Sequence, residues 1–206
     1  MEKMPVAAIQ LQSTDDVAAN LEATMRLCDL AAQEGATFIA LPENFGFLGS
    51  ETDKRALAKP IEGHPFLRPL CELASKKNVS ILAGSIPERS PDPDRPFNTS
   101  VMIGSDGHLV ASYRKIHLFD VNVPGKITFR ESDVLSSPQP TAPSLFDTPW
   151  GRIGLGICYD IRFPQYAATL EEVGITDAMD AKALKAHVVA TLVCEPKKAK
   201  AVLALV

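Results

Sequence analysis

The stretch Val6 to Leu41, VAAIQLQSTDDVAANLEATMRLCDLAAQEGATFIAL, decides the fold class. Val6 to Leu11 is an apolar run that reads as a buried strand. Ser13 and Thr14 can cap a helix from about Asp15 to Glu34, and Gly35 can end it. Val17, Leu21, Cys28 and Ala31, with Met25 and Leu27 beside them, recur at helical spacing. Thr37 to Leu41 is a second apolar strand, stopped by Pro42. Strand, helix, strand in that order implies a parallel pair joined by a crossover.

Working outward, Asn44 to Pro65 reads as a charged, glycine-containing loop, followed by a helix from Phe66 to Lys77 and a strand from Val79 to Ile86. A second βαβ unit results. Ser90 to Pro96 (SPDPDRP) is a loop. Thr99 to Ile103 and Leu109 to Tyr113 flank Ser105-Asp106-Gly107-His108, the signal of a hairpin. Ile116 to Pro143 has little periodicity, as long functional loops often do. Leu145 to Asp147 and Arg152 to Ile157 form a further hairpin bent at Thr148 to Gly151. The expected class is α/β with a mixed sheet. Helices on one face alone would leave the other apolar face to a second layer, so a layered sandwich is expected.

A chain of 206 residues, 46% of them hydrophobic, is long enough to bury a core. A net charge of −4 gives no electrostatic footprint for nucleic acid, and no apolar run is long enough to cross a bilayer. Met1-Glu2-Lys3-Met4-Pro5 lacks the basic and apolar regions of a secretory signal, so a cytoplasmic location is expected, with a mitochondrial one also open. Cys28, Cys71, Cys158 and Cys194 show no paired spacing and are expected to be free thiols, the first two inert on apolar helix faces. The four histidines form no ligand motif, and neither a metal nor an organic cofactor is expected.

Three reactive side chains stand at strand ends, where α/β sheets assemble sites. Glu43 follows the second strand after Pro42. Lys115 closes the strand ending Ala111-Ser112-Tyr113-Arg114. Cys158 closes the run Ile153 to Ile157, within GLGICYDIRFP (Gly154 to Pro164), and Pro164 opens a helix. A thiol at a helix N-terminus should ionise more easily than a free one. Singly, each has a plain structural reading: a solvated loop acid, a surface lysine, a core cysteine. Jointly, they supply a base, a cation for an oxyanion and a nucleophile without any histidine.

The segments LPENF (Leu41 to Phe45), YRKIHLFD (Tyr113 to Asp120) and GICYDIRFP (Gly156 to Pro164) resemble the three catalytic signatures of the nitrilase superfamily of carbon-nitrogen hydrolases. The match KIHLFDVNVPGKITFRES (Lys115 to Ser132) resembles the omega-amidase branch, which hydrolyses α-ketoglutaramate and α-ketosuccinamate. The resemblance implies an αββα sandwich, a small amide substrate, a homo-oligomer (a dimer) and no cofactor. It makes Glu43 the general base, Cys158 the nucleophile that forms a thioester, and Lys115 the oxyanion cation together with the backbone N–H of Tyr159. Glu131 matches a second glutamate beside the triad, although a loop ion pair explains it equally well. Asp160 and Arg162 read as an ion pair or as scaffolding of the turn, and Tyr166 as core packing.

The resemblance runs from Met4 to Gly174, giving a nitrilase-like domain over residues 1–174 and an Ala- and Lys-rich tail over 175–206 of no assigned role. The family sandwich has its second half beyond the cysteine turn, so an incomplete second half is expected. The alternatives to an omega-amidase are an amidase for deaminated glutathione, a carbamoyl hydrolase, or a truncated form with little activity that binds or competes with a full-length oligomer.

Overall fold

Val6–Ile9 (β1), Phe38–Ala40 (β2) and Ser80–Glu88 (β3) run parallel side by side, with Val6 opposite Phe38 and Phe38 opposite Ser80. Phe97–Ile103 (β4) and Leu109–Arg114 (β5) continue the sheet antiparallel, joined by the expected hairpin, in which Gly107 takes a φ of +85°. The computed structural model describes residues 4–139, 144–149, 151–166, 168 and 203–205. Within the Ala- and Lys-rich tail only Leu203–Leu205 is described, pairing antiparallel along the free side of β1. The apolar helical face expected at Ala186, Val189, Ala190 and Val193, and Cys194, lie outside the described residues.

Period-two alternation gives each strand two apolar faces. Ala7, Ile9, Ile39, Ile81, Ala83, Val101 and Ile103 pack in one core with Leu27, Cys28 and Ala31 of helix Val17–Gln33 (α1) and with Leu70 and Ala74 of helix Arg68–Lys77. Their neighbours Phe38, Ala40, Leu82, Met102 and Tyr113 face the other way, onto Phe146, Ile153, Leu155 and Ile157. Phe146 and Ile153 belong to a second hairpin, Leu145–Thr148 with Gly151–Gly154, and Phe146 stacks on Phe38 at 6.4 Å. The described residues therefore hold a helix layer, a six-stranded sheet and the beginning of a second β-layer, as the α/β sandwich expectation requires.

Several local readings are corrected. The cap of α1 is Asp16, whose carboxylate accepts from Ala19 N at 3.0 Å. Thr14 instead bonds Asn20, and the buried Asn20 amide donates to the Gly46 carbonyl at 3.1 Å, buttressing the loop after Glu43. The loop expected from Asn44 to Pro65 contains helix Glu51–Leu57 (α2), capped by Ser50. It buries no residue, so it carries no apolar stripe, and its only sequence signal is the Ser50…Asp53 capping pattern. The stretch after Ile116 contains a hairpin of Asp120–Val123 (β6) and Ile127–Arg130 (β7), turned by Gly125 at φ +71°. Solvent on both sides of β6 removes the alternation that marks a half-buried strand.

Candidate active site

Each candidate side chain is delivered by a rigid neighbour. After β2, Leu41 N donates to Leu82 O at 2.9 Å, which keeps the chain against β3 until Glu43. This close approach requires Gly84, because a Cβ there would lie 2.0 Å from the Leu41 carbonyl oxygen. Asn44 turns the chain away with φ +57°, its N–H donating to Ser85 Oγ. Lys115 leaves β5 with its backbone N–H on Asn98 O at 2.9 Å. The β6–β7 hairpin returns Glu131 to Phe119, whose N–H donates to Glu131 Oε2 at 2.6 Å. Cys158 begins a 3-10 turn, Cys158–Arg162, at φ +48°.

Residues far apart in sequence meet in one place. Lys115 Nζ lies 3.1 Å from Glu43 Oε1 and 2.9 Å from the Glu131 carboxylate, and the lysine side chain is 2% exposed. Burial alone would push the Lys115 pKa down, but the charges of Glu43 and Glu131 outweigh it and hold the ammonium above its ordinary value. The Glu43 charge also acts on the Cys158 thiol.

The thiol does not behave as the helix-terminus argument predicts. Its pKa is pushed up to about 12, first by burial and then by the Glu43 charge, with Lys115 acting in the opposite direction. Cys158 opens a short, enclosed turn beside a carboxylate, so desolvation and like charge outweigh any dipole effect. Such a thiol stays protonated at neutral pH and needs a base in contact with it. Glu43 is placed to be that base.

Tyr159 follows Cys158 in the turn, its ring edge-on to Phe119 at 5.0 Å. Asp160 is scaffolding, with His117 rather than Arg162 as its side-chain partner. Tyr166 packs against the second apolar core, as read from sequence. Cys28 is buried and its thiol raised to about 12 by burial, which fits an inert core residue. Among the described residues no group of histidine, cysteine and acidic side chains is close enough to hold a metal.

Sequence reasoning missed Asn98. Its amide N–H donates to Glu43 Oε1 at 2.7 Å, while its backbone carbonyl holds Lys115. The buried side chain therefore aims the carboxylate that faces the thiol. Asn98 is buried at 4% exposure beside the equally buried polar residues Thr99 and Ser100, and nothing in the sequence FNTSVMI singles it out from them.

A family model described as carbon-nitrogen hydrolase matches residues 5–176. The chain is 40% identical over 174 residues to the mouse protein "Omega-amidase NIT2", covering 84% of this chain and 61% of that one. It is 38% identical over 177 residues to the Synechocystis "Deaminated glutathione amidase", covering 84% and 64%. The crystal structure of Saccharomyces cerevisiae Nit3, a member of the nitrilase superfamily, superposes with a TM-score of 0.69 at 32% identity, over 82% of this chain and 60% of that one. The chain thus spans about three fifths of the length of these relatives.

Proposed function

The chain belongs to the carbon-nitrogen hydrolase family, and from that premise we propose that it is an amidase whose nucleophile is Cys158. The observation that carries this reading is the buried ion pair of Glu43 with Lys115, both of whose charges act on the Cys158 thiol. Glu43 takes the thiol proton as the sulfur attacks the amide carbon. The oxyanion that forms is met by the Lys115 ammonium and the Tyr159 backbone N–H. Glu43 then returns the proton to the departing nitrogen, which leaves as ammonia, and the acyl group remains on sulfur as a thioester. The same carboxylate next deprotonates water, and hydrolysis releases the acid and the thiol. Glu131, with Phe119 N–H on one oxygen, holds Lys115 in place throughout.

The substrate assigned is a small keto-acid amide, α-ketoglutaramate or α-ketosuccinamate. The Lys115 to Ser132 segment and the omega-amidase relative support this, and deaminated glutathione is the rival. The test is ammonia release from each amide by the purified chain, with intact-mass detection of the acyl-enzyme. Cys158→Ser abolishes both signals on this reading, and turnover surviving in that variant refutes it. A folded chain that releases no ammonia and acquires no adduct is instead a binding form.

A further inference from the structure

Asp160 is 3% exposed and both of its oxygens are occupied. Oδ2 accepts from Ile157 N at 2.8 Å and from the Tyr113 hydroxyl at 2.7 Å. Oδ1 accepts from His117 N at 3.0 Å and lies 2.6 Å from His117 Nδ1. The positions of these partners matter. Tyr113 and His117 stand on either side of Lys115, while Ile157 and Asp160 stand on either side of Cys158. One buried carboxylate thus ties the segment that carries the lysine to the turn that carries the thiol. The imidazole of His117 also stacks on Phe163, which closes the same turn, at 3.7 Å between ring centroids.

The turn needs such a tie. Cys158 sits at φ +48°, a left-handed conformation that residues with a Cβ hold only where their surroundings over-determine it. All the groups facing Asp160 are placed to donate, and an ionised carboxylate only accepts, so no isosteric amide satisfies the same set. The geometry points to Asp160 as a positioning residue. It holds Cys158 in its strained conformation and sets Lys115 against the thiol, with Tyr113 and His117 as its grip on the lysine segment. This assignment rests on the reading of Cys158 as the nucleophile.

The test compares Asp160→Asn, Tyr113→Phe, His117→Ala and His117→Asn in the full chain. Two rates are read: alkylation of Cys158 by chloroacetamide, located by peptide mass mapping, and kcat and KM for α-ketoglutaramate. Asp160→Asn slows both alkylation and kcat by about tenfold or more, as misplacement of a reacting group does, with KM little changed. Tyr113→Phe falls between it and the wild type. His117→Asn regains most of what His117→Ala loses, because the asparagine N–H reaches the place of Nδ1–H. Wild-type alkylation rates in folded Asp160→Asn and Tyr113→Phe overturn the assignment, as does an equal loss in the two His117 variants. If Asp160→Asn does not fold, Tyr113→Phe and the His117 pair decide. A wild-type chain that hydrolyses no amide refutes the proposed function, whereas the alkylation rates still judge the tie.

Discussion

Lys115 Nζ stands 3.1 Å from Glu43 Oε1 although 72 positions separate the two residues in the chain. Both side chains are almost wholly buried, and Glu131 completes the group on the far side of the ammonium. Two carboxylates around one cation leave a net negative centre beside the thiol. Burial raises the cysteine first and that charge adds to it, while the same charge holds the lysine up against its burial.

Removing the cation exposes this arrangement. Lys115→Met leaves Glu43 and Glu131 buried against each other, and breaking a buried pair from one side costs about 3–5 kcal/mol. Urea unfolding measures the loss. Lys115→Met combined with Glu131→Gln recovers part of it, and a double variant as unstable as the single one contradicts the electrostatic account. Since the native ammonium is held above 10.5, its contribution is complete below that pH and declines as the pH rises through the higher native value.

The thiol titration can be moved in either direction. Glu43→Gln deletes a charge that raises the Cys158 pKa, so the alkylation rate of Cys158 climbs at lower pH than in the wild type. Lys115→Met deletes the opposing charge and shifts the climb to higher pH. Glu43→Gln nevertheless loses amide turnover, because the base is gone. Alkylation profiles that shift together, or not at all, exclude Glu43 and Lys115 as the groups that set the thiol.

Gly84→Ala places a methyl group 2.0 Å from the Leu41 carbonyl oxygen and 2.3 Å from that of Pro42. Neither is the tip of a flexible side chain, so the segment leading to Glu43 must shift. Overpacking of this kind costs about 1–3 kcal/mol or more. The expected result is a lower unfolding midpoint together with a larger fall in kcat than in a comparably destabilised variant elsewhere. A stability loss with full specific activity separates Gly84 from the site.

His64 provides a pH-dependent stability that does not involve the site. It is fully buried, its Nδ1 accepts from Phe66 N at 3.2 Å, and its Nε2 faces the Pro87 carbonyl at 3.2 Å, which requires the neutral ring with the proton on Nε2. Burial, only partly opposed by Pro87 and Glu88, lowers its pKa below 6.5. Above that pH both states are neutral and stability is complete. As the pH falls below 6.5 the unfolded chain takes a proton that the native one refuses, so stability drops by up to about 1.4 kcal/mol per pH unit until the native pKa is passed. His64→Gln is less stable overall but flatter between pH 5 and 7 (about the range where histidine titrates) in urea titrations. Parallel curves for the two proteins assign the slope to other groups.

Much of this molecule is written in local pattern. The β1–α1–β2 unit and the β4–β5 hairpin are legible because half-buried helices and buried strands must repeat their apolar residues at fixed spacing. Glu43, Lys115 and Cys158 are legible as reactive groups at strand ends, Glu131 only through the family resemblance, and three motifs in order name the family. Helix α2 and the β6–β7 hairpin are not legible by the same means. α2 buries no side chain and β6 is open to solvent, so neither has an apolar face to repeat.

The sequence by itself determined which chemical groups are present and which strands carry them, since both follow from residue type and local periodicity. Only the tertiary structure decided how they act together. The strand register puts Asn98 beside Glu43 and under Lys115, and the turn at Cys158 depends on Asp160 reaching Tyr113 and His117 across the fold. The state of the thiol is the sharpest case. A helix terminus suggested easy ionisation, whereas desolvation and the Glu43 charge, which exist only once distant segments are packed together, hold the proton on sulfur.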